Sequence, residues 1–149
     1  MTTARPTFRE LSPAECEAFL RRQLVGRFAL SHKDRVDIVP IHFVYDDGWI
    51  YGRTAAGMKL EMVTHNRWVA FEADEVKGLF DWQSVVIKGG LYLLRSEGSD
   101  HERALYEKGV TLMRTIIPEA MTPADPLPER AILFRIHADE ITGRAAASR

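Results

Sequence analysis

Apolar and polar positions alternate in short runs along this chain, and the pattern is clearest between Val36 and Lys59. Over Val36–Tyr45 one face carries Val36, Ile38, Pro40, His42 and Val44, and the other Asp37, Val39, Ile41, Phe43 and Tyr45. That two-residue period is a strand's. From Ile38 onward both faces are mostly apolar, as expected where a closed barrel wall is covered on its outside too. Asp46-Asp47-Gly48 predicts a hairpin turn, with Gly48 free to take a positive φ, and Trp49–Thr54 is the return strand. Ala55-Ala56-Gly57 then leads into a short helix from about Met58 to His65-Asn66.

The remaining elements are read the same way. Ser12-Pro13-Ala14-Glu15 is a capping box with proline at the first helical position, and Gly26 is the expected stop for that helix. Gly26–His32, Trp68–Asp74, Trp82–Arg95 and Ala131–His137 are expected strands, with Glu75–Asp81 a loop. Gly89-Gly90 predicts a bulge or sharp coil at a barrel corner. Ser99-Asp100-His101-Glu102 is a second capping box, and the helix after it places Leu105, Leu112, Met113 and Ile116 on one face before Pro118 closes it. Residues 145–149 are expected to fray. The whole is one mainly-β domain over 1–149: a first helix over 12–25, an antiparallel barrel over 26–95 and 131–137, and a helix over 99–117.

Two features of the central stretch carry candidate chemistry. Pro40 has no N–H and would interrupt a central ladder, so it predicts a bulge, an edge or a gap in the wall where backbone groups can bind something else. On its own it reads more readily as an edge-strand proline with no ligand. Lys59 falls in the first turn of its helix, where the dipole favours anions. Taken alone Lys59 reads as a solvated surface lysine; with Arg53, Thr54 and Gly57 beside it, a bound anion shared by helix N–H groups, the lysine and a hydroxyl explains the cation.

Composition narrows the partners. The 149 residues carry a net charge of −1 with basic and acidic residues interspersed, which gives no support for nucleic-acid binding. One cysteine, Cys16, leaves no intrachain disulfide and lies on a helical apolar face, so it is assigned to the core. His32, His42, His65, His101 and His137 show no metal-ligand spacing, and no metal is expected. No apolar run has the length of a membrane span and no signal peptide is visible at the start, so a cytoplasmic location with no membrane partner is expected.

Five segments in order resemble the pyridoxamine 5′-phosphate oxidase-like family of FMN-binding split barrels, closest to the small branch that includes the nitroimidazole-resistance proteins. They are Gly26–Leu30, Val39–Tyr45, Thr54–Leu60, Trp68–Glu72 and Trp82–Gly89. The resemblance implies that backbone from Val39 through Pro40 and Ile41 to His42 faces the isoalloxazine edge, and that Arg53, Thr54 and Lys59 hold the phosphate. Ser84 matches a polar phosphate contact of the oxidases, with Gln83 beside it, and Trp82 would stack on or wall the ring. His42 would line the pocket; as a lone histidine on an apolar strand it also reads as a hydrogen-bonded core residue. A homodimer with FMN between subunits is implied. Relatives of the nitroimidazole branch often have histidine where this chain has Arg53, so nitro-group reduction is not expected. Only Arg135 and Arg144 stand where the oxidase has its arginine-rich substrate site, which argues against pyridoxamine phosphate oxidation.

The expected function is therefore an FMN-dependent oxidoreductase passing electrons from a nicotinamide cofactor to a small-molecule acceptor. No catalytic side chain is assigned, because a flavin carries its own redox chemistry. Two other readings stay open: a flavin store or sensor without turnover, and the same barrel holding F420 or haem.

Overall fold

A computed structural model describes residues 5–148, with the side chains of Met58 and Lys59 outside the described residues. Its elements are β1 (Thr7–Glu10), α1 (Pro13–Arg22), β2 (Val25–His32), β3 (Arg35–Asp46), β4 (Trp49–Thr54), α2 (Met58–His65), β5 (Trp68–Gly78), β6 (Asp81–Leu93), α3 (Asp100–Met113), β7 (Ile132–His137) and β8 (Glu140–Ala147). The strands form an antiparallel sheet in the order β1-β8-β6-β5-β2-β3-β4-β7, closed by pairing of β6 with β7. This is the expected split barrel with flanking helices. Among the described residues no helix is long and apolar enough to cross a membrane.

Closure requires strands that change partners. β6 pairs with β5 from Asp81 to Gly90, then with β7 from Leu91 to Leu93. The expected corner at Gly89-Gly90 is therefore where the strand crosses between sheets. A Cβ on Gly89 would lie 1.7 Å from the His137 carbonyl oxygen, so only glycine lets the two backbones meet there. β3 changes partners as well, as described below.

The inward positions make one apolar core. Phe43 and Phe71 meet edge-on at 4.8 Å and Phe28 and Phe134 are tilted at 5.3 Å, as aromatic pairs prefer over a face-to-face stack. α1 closes one end of the barrel with Cys16, Phe19 and Leu20. A smaller cluster of Tyr51, Met113, Ala120 and Leu133 lies under α3. Both capping boxes form: the hydroxyls of Ser12 and Ser99 accept from the N–H groups of Glu15 and Glu102, and those carboxylates accept in return.

Four expectations are corrected. The first helix ends at Arg22, not near 25, because Gln23 already has extended φ/ψ. Gly26 is no helix stop but a β2 residue whose missing Cβ makes room for the Phe71 ring, 2.4 Å from where that atom would lie. The 75–81 loop is a hairpin: pairing runs on to Gly78 and Asp81, leaving Leu79-Phe80 as the turn. Residues 145–147 of the stretch expected to fray belong to β8, flanked by β1 and β6, with Ala145 and Ala146 buried; residue 149 lies outside the described residues. The small side chains of β8 give little hydropathy signal, and long-range pairing decides its state.

Candidate functional site

Phe43 is where β3 leaves one sheet for the other. Residues Arg35–His42 pair with β2, and Phe43–Asp46 pair with β4. The Phe43 N–H donates to the Leu24 carbonyl, 3.0 Å, on the β2 side. Backbone polar groups alternate in direction along an antiparallel strand. Asp37, Val39 and Ile41 therefore point theirs at β2, while Val36, Ile38, Pro40 and His42 point theirs the other way. Among the described residues no strand pairs with that second edge. The Ile38 N–H is taken by the Asp37 carboxylate, 2.8 Å, and Pro40 has no N–H to satisfy. This is the gap that Pro40 predicted: the proline occupies an outward position, so the β2 ladder is intact beside it.

The open edge faces the end of β4. A Cβ on Gly52 would lie 3.1 Å from Ile41 Cδ1, so the strands touch there before diverging. β4 continues through Thr54 into Ala55-Ala56-Gly57, which is exposed, and then into α2. Among the described residues no side chain caps that helix; its N-cap residue Gly57 is extended, with φ 161°. The first N–H groups of α2 are thus without a side-chain acceptor, as suits an anion. α2 is tied to β2 at its other end, where Asn66 Nδ2 donates to the Ser31 carbonyl, 3.1 Å, and His65 stacks on His32 at 4.7 Å. The candidate slot is the space to which β3 and β4 lead as they diverge, with the outward edge of β3 from Val36 to His42 on one strand and Thr54, the exposed loop and α2 following from the other.

Strand alternation sorts the expected site residues. Val39 and Ile41 turn their side chains into the core and their backbone N–H and C=O groups to β2, so the expectation that they line the ring edge is corrected: they offer the slot neither. Pro40 and His42 lie on the outer face of β3, and His42 Nδ1 is buried without a hydrogen-bond partner among the described residues. Thr54 shares a face with Ile50 and Gly52. Arg53, its neighbour, must point the opposite way, and it does. Its guanidinium is 2% exposed and grips Asp125 with Nη1–Oδ2 2.5 Å and Nη2–Oδ1 2.9 Å. The expectation that Arg53 and Thr54 hold one phosphate side by side is thus corrected: consecutive strand residues face opposite sides, and Arg53 is committed to a carboxylate. Lys59, the other cation expected there, has its side chain outside the described residues.

Trp82, Gln83 and Ser84 are not brought to this slot within one chain. They lie at the start of β6, from which β5 and β2 separate β3. Trp82 packs against Phe8 of β1, ring centroids 6.3 Å apart. Gln83 accepts from Arg22 Nη2, 3.1 Å, and Ser84 donates to Glu72, 3.0 Å. Glu72 sits beside Asp74, and Arg27 bridges both carboxylates. Burial, then the Asp74 carboxyl, push the Glu72 pKa up.

Residues 12–145 match the sequence profile described as pyridoxamine 5′-phosphate oxidase. The chain belongs to that family. Among curated proteins none matches the sequence. Among solved structures, the pyridoxamine 5′-phosphate oxidase fold seen here is similar to an FAD-binding protein from Mesorhizobium loti, with 27% identity, a TM-score of 0.75, and 95% of this chain and 99% of that one covered. It is also similar to an FAD-binding protein from Mycobacterium smegmatis, with 25% identity, a TM-score of 0.65 and coverage of 93% and 98%. A candidate 5-nitroimidazole antibiotic resistance protein from Bacteroides thetaiotaomicron shares the fold alone, at 15% identity and a TM-score of 0.70 over 99% and 92% of the two chains.

Proposed function

We propose that this member of the pyridoxamine 5′-phosphate oxidase family is a flavoprotein oxidoreductase, binding the flavin mononucleotide unit either as FMN or as half of FAD, and serving a nicotinamide donor and a small acceptor. The observation that carries the reading is the unpaired edge of β3 from Val36 to His42, set against the uncapped N-terminus of α2. The FAD-binding relatives from M. loti and M. smegmatis support a flavin as the ligand.

The residues suit that group. A flavin's pyrimidine edge alternates donors and acceptors, and the outward carbonyls of Ile38 and Pro40 with the His42 N–H supply both in fixed spacing. The orphaned His42 Nδ1 is a buried polar atom that a ligand would satisfy, since leaving it unpaired costs about 1–3 kcal/mol. Thr54, the α2 N–H groups and Lys59 would hold the phosphate. When bound, the flavin supplies the electron transfer; the chain binds it, orients its edge and excludes water.

The working unit in this reading is a homodimer. The outer face of β2, β3 and β5 exposes Val25, Val36, Ile38 and Trp68, an apolar surface a single chain leaves in water. A second copy seated there would cover it. It would also let Trp82 and Ser84, which a single chain holds away from the slot, approach the partner's ligand. The test is anaerobic: NADH or NADPH added to the flavin-loaded protein should bleach its visible absorbance, and an electron acceptor should restore it. A flavin-loaded protein that keeps its colour with both donors would be a binding module and not an oxidoreductase.

A further inference from the structure

We infer that Asp125 is a positioning residue for the phosphate loop, acting through Arg53; the inference rests on the flavin reading above. Arg53 is the penultimate residue of β4, and Thr54, the last, starts the loop Ala55–Gly57. Its far end is held by α2, which is tied to β2, but between the two ends its contacts are few among the described residues. Ala55, Ala56 and Gly57 are exposed, and a Cβ built on Gly57 would have no atom within 4 Å. The direction in which the loop leaves the barrel is therefore set at the end of β4.

That end is held by an unusually complete clamp. Asp125 accepts from both terminal nitrogens of Arg53 and from the N–H groups of Met121, 2.8 Å, and Leu127, 2.9 Å. Arg53 Nη1 also reaches the Arg130 carbonyl, 3.4 Å, two residues before β7. β4 and β7 pair through Arg53↔Leu133 and Thr54↔Ile132, so Asp125 ties the chain leading into β7 to the last rungs of that ladder. Met121 has a left-handed φ of 61°, a strained value for a non-glycine residue, and its N–H is among those Asp125 holds. A planar guanidinium gripped on two nitrogens fixes orientation as well as distance. Without the clamp, the Thr54↔Ile132 rung becomes a strand end free to fray, and the Thr54 hydroxyl and the loop lose their fixed place. The ring-binding edge of β3, held by β2, is untouched.

Binding should therefore lose phosphate preference and keep ring affinity. Dissociation constants for FMN and for riboflavin, which lacks the phosphate, are measured by fluorescence on the wild type, on D125N and on the double variant R53M/D125L. The double variant removes both charges together, which buried pairs tolerate better than loss of one partner. In both variants FMN is expected to weaken by about tenfold or more, the loss of one or two phosphate contacts, with riboflavin held within about twofold. Equal weakening of the two ligands, or an unchanged ratio, would overturn the inference. Tighter FMN binding in D125N would do the same, since it would mean that freed Arg53 takes the phosphate itself. Amide exchange of the ligand-free protein gives an independent readout: residues 55–60 should exchange faster in the variants while β2 and β3 are unchanged. If the wild type bound neither flavin, the flavin reading would fall, and the exchange rates would still decide whether Asp125 holds the loop.

Discussion

The N–H of Phe43 donates to the carbonyl of Leu24 at 3.0 Å, while Phe43 itself sits opposite Gly52 in the β3–β4 ladder. That single bond fixes which backbone groups of β3 face β2 and which face the slot. Pro40 lies on the slot side, so restoring an N–H there disturbs no rung. Pro40→Ala is expected to destabilise by only about 0.4–1 kcal/mol, through the greater freedom of the unfolded chain. Ile41→Pro removes an N–H aimed at Gly26 and should cost about 1–3 kcal/mol more than Ile41→Ala. Denaturant midpoints of the three variants test this; equal costs for Ile41→Pro and Ile41→Ala would place the ladder bonds on the other parity.

The Arg53–Asp125 pair makes a prediction with a sign. The Arg53 guanidinium, ahead of the Leu127 and Met121 N–H groups, holds the Asp125 carboxyl well below the usual carboxylate range. A carboxyl depressed in the folded state stabilises above its unfolded pKa, about 4, and that stability is lost as pH falls toward the folded value. The wild type should therefore lose Tm between about pH 5 and pH 2 more steeply than R53M/D125L. Arg53→Met alone leaves a buried carboxylate without its cation and should cost about 3–5 kcal/mol at neutral pH. Its deficit should shrink on acidification, in step with the loss of the pair's own contribution, because protonation relieves the uncompensated carboxylate. Thermal melts across that range read both.

Gly89 tests the barrel's closure. A methyl group there would overlap the His137 carbonyl at 1.7 Å, and the obstacle is backbone that cannot rotate away. Gly89→Ala should exceed the roughly 1–3 kcal/mol of ordinary core overpacking and weaken the pairing of β6 with β7. Gly57→Ala, where nothing lies within 4 Å, is the control and should leave stability near wild type.

The dimer makes a separate prediction. Ile38 is 59% exposed in one chain, on the apolar face assigned to a second copy. Ile38→Asp should leave the fold intact and halve the mass measured by light scattering at micromolar concentration. If the wild type already has the mass of one chain, the dimeric arrangement is wrong.

What the sequence disclosed follows from the range of each signal. The β3–β4 hairpin was legible because its turn, its alternation and Pro40 are all local. Asp47 and Gly48 adopt the positive φ values, 44° and 83°, that the turn required. β8 was not legible, because alanines and a glycine become a strand only when β6 and β1 lie on either side. The Arg53 assignment went astray for a reason visible in the sequence itself. Residues 53 and 54 are neighbours on one strand and so face opposite ways, but the partner that claims Arg53 is 72 positions distant, in a proline-rich segment without periodicity. Trp82 and Ser84 were grouped with the slot by resemblance, and only the strand order shows that one chain keeps them apart.

The most direct test is the visible spectrum of the freshly purified protein, followed by chromatography of whatever heat releases from it. A yellow protein that releases FMN or FAD in near-stoichiometric amount is the predicted result. A colourless protein that takes up neither FMN nor FAD on incubation would contradict the assignment of the β3 edge and the α2 N-terminus as a flavin site.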